Sequence, residues 1–327
     1  MIARRSLLGG VAALAAAPAW ARLVRVPPAS RELMVPVTGG RVFVRITGDL
    51  GSSRAPLIAI NGGPGVPHSG LIEMLALADE RAVILYDQLD TGRADHPGDP
   101  ANWTVPRFVS EIDAIQTVLS IPRWHVFGQS WGGTLALEYG ARRPAGLASL
   151  ILASPLVSTR TWIADTDALR RDLPADTQQS LTACEAPGPP APESCRTATA
   201  AFNSAFLQRE EPSPARVDYE KATRAAGARP FNQQLYETMW GTSEFSATGT
   251  LKSYDGEPLL ASLDGPRTLF VGGQYDEARP ATLIGFSRRV PGSEVAIIPG
   301  AGHAIDNDRP DETVAVVRAW LARKDAG

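Results

Sequence analysis

Short apolar runs alternate with longer amphipathic ones along most of the chain. Residues 33–37 and 41–47 alternate well enough for two strands, and Thr38-Gly39-Gly40 between them makes an opening hairpin. Leu57-Ile58-Ala59-Ile60 is continuously apolar, as a strand buried on both faces must be, and it runs into Asn61-Gly62-Gly63-Pro64-Gly65. Residues 71–78 read as a short helix. Residues 81–86 read as the next buried strand, ending at Asp87-Gln88. Between 105 and 119 the apolar residues Val105, Phe108, Val109, Ile112, Ile115, Val118 and Leu119 recur at helical spacing. A strand is expected at 124–127, a helix at 134–142 and another buried strand at 147–153.

From about Ser154 to Asp264 this rhythm stops. Strand-like runs vanish, and Ala, Arg, Gln and Pro dominate, with scattered aromatic residues. The change predicts a helical cap over 154–264, inserted between two parts of a core at 22–153 and 265–327. Sheet rhythm returns with a strand at 268–271, a helix at 281–289, a strand at 295–298 and a closing helix at 312–323. Strands alternating with helices predict an α/β fold whose central sheet is mostly parallel and flanked by helices.

The 327 residues are enough for one large α/β domain with an insertion. A 44% apolar and 20% charged composition is that of a globular protein. A net charge of −3 without a basic tract gives no reason to expect nucleic acid as a partner. Residues 1–21 stand apart. Arg4-Arg5 opens a positive region, 7–17 is apolar, and Ala19-Trp20-Ala21 forms a small-residue cleavage site. The apolar run is too short to span a bilayer as a helix of the mature chain. The Arg-Arg pair before Ser6-Leu7-Leu8 resembles a twin-arginine export signal, with Sec export or a plain N-terminal anchor as the other readings. Export predicts a periplasmic or secreted enzyme that begins near Arg22 and is not held in a membrane. It also makes a Cys184–Cys195 disulfide the expected state; without export the two would be free thiols on a loop. No His lies near either cysteine, so no zinc site is expected.

The chemistry gathers at Gly128-Gln129-Ser130-Trp131-Gly132, a G-x-S-x-G pentapeptide set between a strand and a helix. That placement makes a nucleophile elbow, a tight turn that holds the serine clear of the backbone. A serine hydroxyl needs a base, and the base needs a carboxylate to fix its tautomer. His303 follows the last strand in Pro299-Gly300-Ala301-Gly302-His303, and Asp276 follows the preceding strand in Gly272-Gly273-Gln274-Tyr275-Asp276. Ser130, Asp276, His303 is the chain order of α/β-hydrolases. His125 reads as structural, His96 as solvent-facing, and His68 as a polar loop residue or part of the entrance. Asp306 and Asp308 follow His303 too closely to orient it and read as caps of the last helix. Two backbone N–H groups are needed for an oxyanion. Trp131 is one; Gly63 is the expected other, with Gly62 as the alternative.

Taken together, these residues resemble the proline iminopeptidase group of α/β-hydrolases, and in particular the branch with the tricorn-interacting aminopeptidase and certain L-amino-acid amidases. The resemblance runs from about Leu33 to the C-terminus. It rests on Asn61-Gly62-Gly63-Pro64-Gly65, on Tyr86-Asp87-Gln88-Leu89-Asp90-Thr91-Gly92-Arg93-Ala94-Asp95 and on the elbow. It also rests on Met239-Trp240-Gly241-Thr242-Ser243-Glu244-Phe245, Thr248-Gly249-Thr250-Leu251 and Gly273-Gln274-Tyr275-Asp276-Glu277-Ala278. The resemblance implies release of an unblocked N-terminal residue from peptides, amides or arylamides through an acyl-enzyme, with no metal or organic cofactor. It implies that Glu244 and Glu277 hold the substrate ammonium. Trp240, Phe245 and Tyr275 would supply apolar walls for a small side chain, or would belong to the core. The chain departs from the family at Asn61, usually His, and at Leu89-Asp90-Thr91, where many proline-specific members carry an Arg-Gly-Ser type sequence. Both departures bear on strict proline specificity. The rival readings are an esterase or lactonase without ammonium recognition and a non-catalytic binding protein on the same scaffold.

Overall fold

A computed structural model describes residue 23, residues 25–185 and residues 193–326. The export signal and the Pro-rich segment at 187–192 lie outside the described residues. Eight strands form one sheet: β1 (Arg31–Val37), β2 (Gly40–Thr47), β3 (Leu57–Ile60), β4 (Val83–Asp87), β5 (Trp124–Gln129), β6 (Leu147–Ala153), β7 (Thr268–Gly273) and β8 (Glu294–Ile298). Their order across the sheet is β1-β2-β4-β3-β5-β6-β7-β8. The opening hairpin pairs Val35 with Val42, and β2 runs antiparallel to β4. From β4 to β8 every neighbouring pair is parallel.

The apolar runs explain the layers. Side chains alternate across a strand, so a continuous run feeds both faces. Ile58, Ile60, Ile84, Tyr86, Val126 and Leu152 pack with Phe108, Ile112 and Ile115 of α1 (Val105–Val118) and with Leu135 and Tyr139 of α2 (Trp131–Ala141). Their neighbours Leu57, Ala59, Val83, Leu85 and Phe127 face the other way. They meet Leu71 to Leu77 of a 3-10 run (His68–Asp79) and Val314, Val317 and Trp320 of the closing helix.

Between β6 and β7 the described residues hold helices and no strand: α3 (Thr159–Arg170), α4 (Ala175–Cys184), α5 (Glu193–Phe202), α6 (Pro214–Ala225) and α7 (Gln233–Met239). The cap has a small core of its own, built from Leu169, Leu181, Phe202, Phe206 and Phe245. After β7 come α8 (Pro280–Arg288), the single turn α9 (Ile305–Asp308) and α10 (Pro310–Asp325). Two element boundaries depart from the pattern-based expectation. The helix expected from 134 starts at Trp131, because Gly132-Gly133 weakens local helix propensity without preventing a helix that tertiary packing enforces. The helix expected at 71–78 is a longer 3-10 run with a kink at Leu71, preceded by Pro67.

Buried polar contacts join cap to core. His68 is buried against Asp87, with Nδ1 2.8 Å from Oδ1, and its Nε2 lies 2.7 Å from the Tyr219 hydroxyl of α6. Asp165 of α3 accepts from Thr282 Oγ1 at 2.8 Å. His96 is half-buried rather than solvent-facing, its Nε2 3.2 Å from the carbonyl of Gly92. His125 is buried inside the sheet, with Nδ1 2.8 Å from Ser149 Oγ. No helix among the described residues is long and apolar enough to cross a membrane.

Cys184 and Cys195 form a disulfide between α4 and α5, across a sequence separation of 11. Replacing both cysteines with serine is expected to lower stability by about 3 kcal/mol, the chain-entropy value for a loop this short. The measurement is thermal unfolding of both proteins under non-reducing conditions.

Candidate active site

Strand β5 ends at Gln129, and α2 begins two residues later. The reversal falls on Ser130, whose backbone sits at φ 58°, ψ −119°. A positive φ is strained for a residue with a side chain and persists only where the surroundings impose it. Here they do. A Cβ on Gly128 would strike the carbonyl oxygen of Gly132, and one on Gly132 would strike the carbonyl oxygen of Ile60. Strand, turn and helix therefore pack backbone to backbone. The Ser130 amide is fixed to the carbonyl of Ala153 at 2.9 Å. The Trp131 amide opens the helix, so it has no intrahelical acceptor.

Asp276 and His303 come from the loops after β7 and β8. His303 Nδ1 lies 2.8 Å from Asp276 Oδ1. The carboxylate is held from both sides: Oδ2 accepts from Ser154 Oγ and, at 3.0 Å, from Gly273 N, while Oδ1 also accepts from Ala278 N at 2.9 Å. With Nδ1 committed to the carboxylate, Nε2 is the ring nitrogen left to accept a proton. Burial pulls the His303 pKa down. The charges of Asp276, Glu244 and Asp306, with the Asp276 hydrogen bond, outweigh it and hold it above the ordinary value. The Trp162 ring stands edge-on to the imidazole, with centroids 5.2 Å apart.

Ser130 and His303 line one cavity of about 330 Å³, together with Gly62, Gly63, Tyr236 and Glu244. Glu244 accepts from the Tyr236 hydroxyl at 2.6 Å. Burial of its carboxyl raises its pKa against that hydrogen bond and the His303 charge. Glu277 is fully buried behind this wall, and neither of its carboxyl oxygens has a hydrogen-bond partner among the described residues. Burial, then the charges of Glu244 and Asp276, push it well above the carboxylate range. A second acid faces the cavity. Asp306 is buried, and burial moves its carboxyl up to about 6.

Of the three aromatic residues read as pocket walls or core, Trp240 and Phe245 belong to the core and Tyr275 to neither. Trp240, Phe245 and Tyr275 do not line the cavity. Trp240 packs edge-on to Trp162 with centroids 6.1 Å apart and donates to the carbonyl of Ser243 at 2.9 Å. Phe245 lies in the cap core, 5.1 Å from the Phe202 ring centroid. Tyr275 is 39% exposed, with the Arg209 guanidinium 4.1 Å above its ring. The cavity's aromatic lining is Phe231 and Tyr236, which carry no motif and no periodic signal that could single them out. Asp306 and Asp308 do not cap the last helix. Asp308 accepts from the backbone amides of Arg209 and Glu210 at 3.0 Å and of Gly302 at 2.8 Å, clasping the cap to the His303 loop.

An elbow serine that shares a cavity with a carboxylate-oriented histidine, at the ends of parallel strands, is the arrangement of the α/β-hydrolase class. The model of the alpha/beta hydrolase fold family matches residues 55–306. The chain is 35% identical to the proline iminopeptidase of Heyndrickxia coagulans over 89% of its length and 98% of that relative. The solved proline iminopeptidase of Mycobacterium smegmatis superposes with a TM-score of 0.81 at 34% identity, covering 90% of this chain and 99% of that one. The crystal structure of VinJ gives a TM-score of 0.82 at 33% identity, with the same coverage. The chain belongs to the proline iminopeptidase family.

His303 is held above its ordinary value of about 6.5, so the acid limb of kcat/KM is expected above that pH. The imidazole must be neutral to accept a proton, so activity falls as pH drops through that limb. Glu244→Gln removes one charge that holds His303 up, and it is expected to move the limb to lower pH by up to about one unit. A pH profile of kcat/KM for both proteins checks this.

Proposed function

We propose that this chain is a serine aminopeptidase that releases one unblocked N-terminal residue, proline or another small or apolar one, from peptides, amides or arylamides. The observation that carries the reading is Glu277, a buried carboxyl without a hydrogen-bond partner among the described residues, which feels the charge of Glu244 on the wall of the serine cavity. A bare buried carboxylate is unfavourable by several kcal/mol unless a counter-charge meets it. A substrate ammonium is such a counter-charge. It would draw the Glu277 carboxyl into its ionised form, adding to the charge already carried by Glu244 on the cavity wall. An N-acylated substrate has no such charge and leaves the carboxyls unmatched.

In this reading Ser130 Oγ attacks the carbonyl of the first residue while His303 Nε2 takes its proton. The oxyanion forms against the amides of Trp131 and Gly63. His303 returns the proton to the leaving amine, and a water activated by the same nitrogen opens the acyl-enzyme. Asp276 holds the ring throughout. The names of the family relatives favour proline as the released residue. The rival esterase or lactonase would use the same serine and ignore the carboxyls.

The mature protein is expected to hydrolyse prolyl, alanyl or leucyl arylamides but not their N-acetyl counterparts. Ser130→Ala is expected to lower kcat by about 10⁴-fold or more. Equal turnover of acetylated substrates, or of a butyrate ester alone, would leave the esterase. We further infer export by the twin-arginine route, supported by Arg4-Arg5 and the cleavage-site pattern at Ala19-Trp20-Ala21. Sequencing of the exported protein is expected to find an N-terminus near Arg22; an uncleaved chain in the cytoplasm would refute export.

A further inference from the structure

We propose that the enzyme selects short peptides ending in a free carboxylate, and that Arg216, Arg224 and Arg229 hold that carboxylate in a second cavity. The inference rests on the aminopeptidase reading and names the substrate class for the same site. The second cavity has a volume of about 260 Å³. It shares Val66, Arg216 and Phe231 with the serine cavity, so the two adjoin across these side chains.

The charges in the second cavity do not balance. Arg216 Nε lies 3.1 Å from Glu220 Oε1, and Arg224 Nη2 lies 3.2 Å from Glu220 Oε2. One carboxylate thus serves two guanidinium groups. Arg229, on the loop between α6 and α7, has no ion pair among the described residues, and its amide is anchored to the carbonyl of Gly92 at 2.8 Å. The other acid in the wall, Asp87, is occupied. It accepts from the His68 amide at 2.6 Å and faces the imidazole on one oxygen, and it accepts from the Arg93 amide at 2.8 Å on the other. Arg216 also faces Asp306 in the serine cavity, so among the described residues Arg229 is the cation of this wall without an acidic partner, next to an Arg224 that shares its carboxylate.

The two cavities have opposite polarity. Glu244 and Glu277 stand at the acyl side, where the ammonium belongs, so the leaving segment must run away from them. The second cavity adjoins the first at Phe231 and Arg216, and Arg224 and Arg229 offer guanidinium groups that a C-terminal carboxylate can pair with. A zwitterionic peptide matches this polarity at both ends. Extended chain covers at most about 3.3–3.6 Å per residue, so only a peptide of a few residues can present both ends at once. Planar guanidinium groups suit a carboxylate geometrically as well as by charge.

The test compares prolyl-glycyl-glycine, its C-terminal amide, an amidated peptide with aspartate in third place, and a prolyl arylamide. Each is assayed with the wild type, with Arg224→Gln/Arg229→Gln and with Arg229→Gln alone, whose side chain breaks no ion pair. The wild type is expected to favour the free acid over its amide in kcat/KM, with the preference falling as salt rises. The double variant is expected to shrink that preference by about three- to tenfold through KM, in keeping with exposed charge pairs. Turnover of the arylamide, which has no carboxylate, reports the integrity of the fold and of the serine site. Equal treatment of acid and amide by the wild type overturns the proposal. So does a uniform loss on all substrates in both variants, or full rescue by the aspartate side chain. If the wild type leaves the arylamide and both peptide forms uncut, the aminopeptidase reading itself has failed.

Discussion

Everything at this site depends on how closely three pieces of backbone meet. Strand β5, the start of α2 and the end of β3 touch where Gly128 and Gly132 leave no room for a Cβ. That contact forces Ser130 into its positive φ. The strained turn lifts the nucleophile out of the sheet and sets the first free amide of α2 behind it. The surrounding sheet supplies the stability that the strain consumes. Ile60, Trp124, Val126 and Phe127 are all fully buried, so the elbow sits on the packed centre of the sheet. The second oxyanion candidate shares this anchorage. Gly62 and Gly63 follow directly from β3, and a Cβ on Gly62 would meet the Ser130 Cβ at 3.1 Å.

Two neighbouring carboxyls show how environment divides labour. Asp276 accepts from a hydroxyl, two backbone amides and the imidazole, so it is a fixed, fully satisfied group. Glu277, one residue further, is equally buried and has no hydrogen-bond partner among the described residues. The first is matched by hydrogen-bond donors and the imidazole within the protein, and the second is left without a donor among the described residues. Glu244 lies between these extremes, held by one tyrosine hydroxyl.

The core was largely legible in the sequence because its signals are local. Continuous apolar runs marked the buried parallel strands, and catalytic residues followed those runs directly, at the ends where turns begin. Ser130 needed only its two glycines and its flanks. The cap was legible as a helical insertion but not as a wall. Which of its aromatics face the cavity depends on how α5, α6 and α7 stack, and nothing in the spacing of Phe231 or Tyr236 encodes that. Trp240 and Phe245 sit in a recognisable motif, yet large rings gain more from burial against Trp162 and Phe202 than from lining a polar cavity. Asp308 was misread for a similar reason. It looked like a helix cap, whereas two of its partners lie 98 and 99 positions away in sequence and the third, Gly302, is on the His303 loop.

The loop that carries His303 is fastened to the cap as well as to the core. The amides of His303 and Ala304 donate to the carbonyls of Phe206 and Leu207, each at 2.8 Å, beside the clasp made by Asp308. The imidazole is therefore placed by both parts of the fold. Substitutions along the Phe206–Leu207 edge bear on the His303 loop although they lie in the cap, about a hundred positions away along the chain.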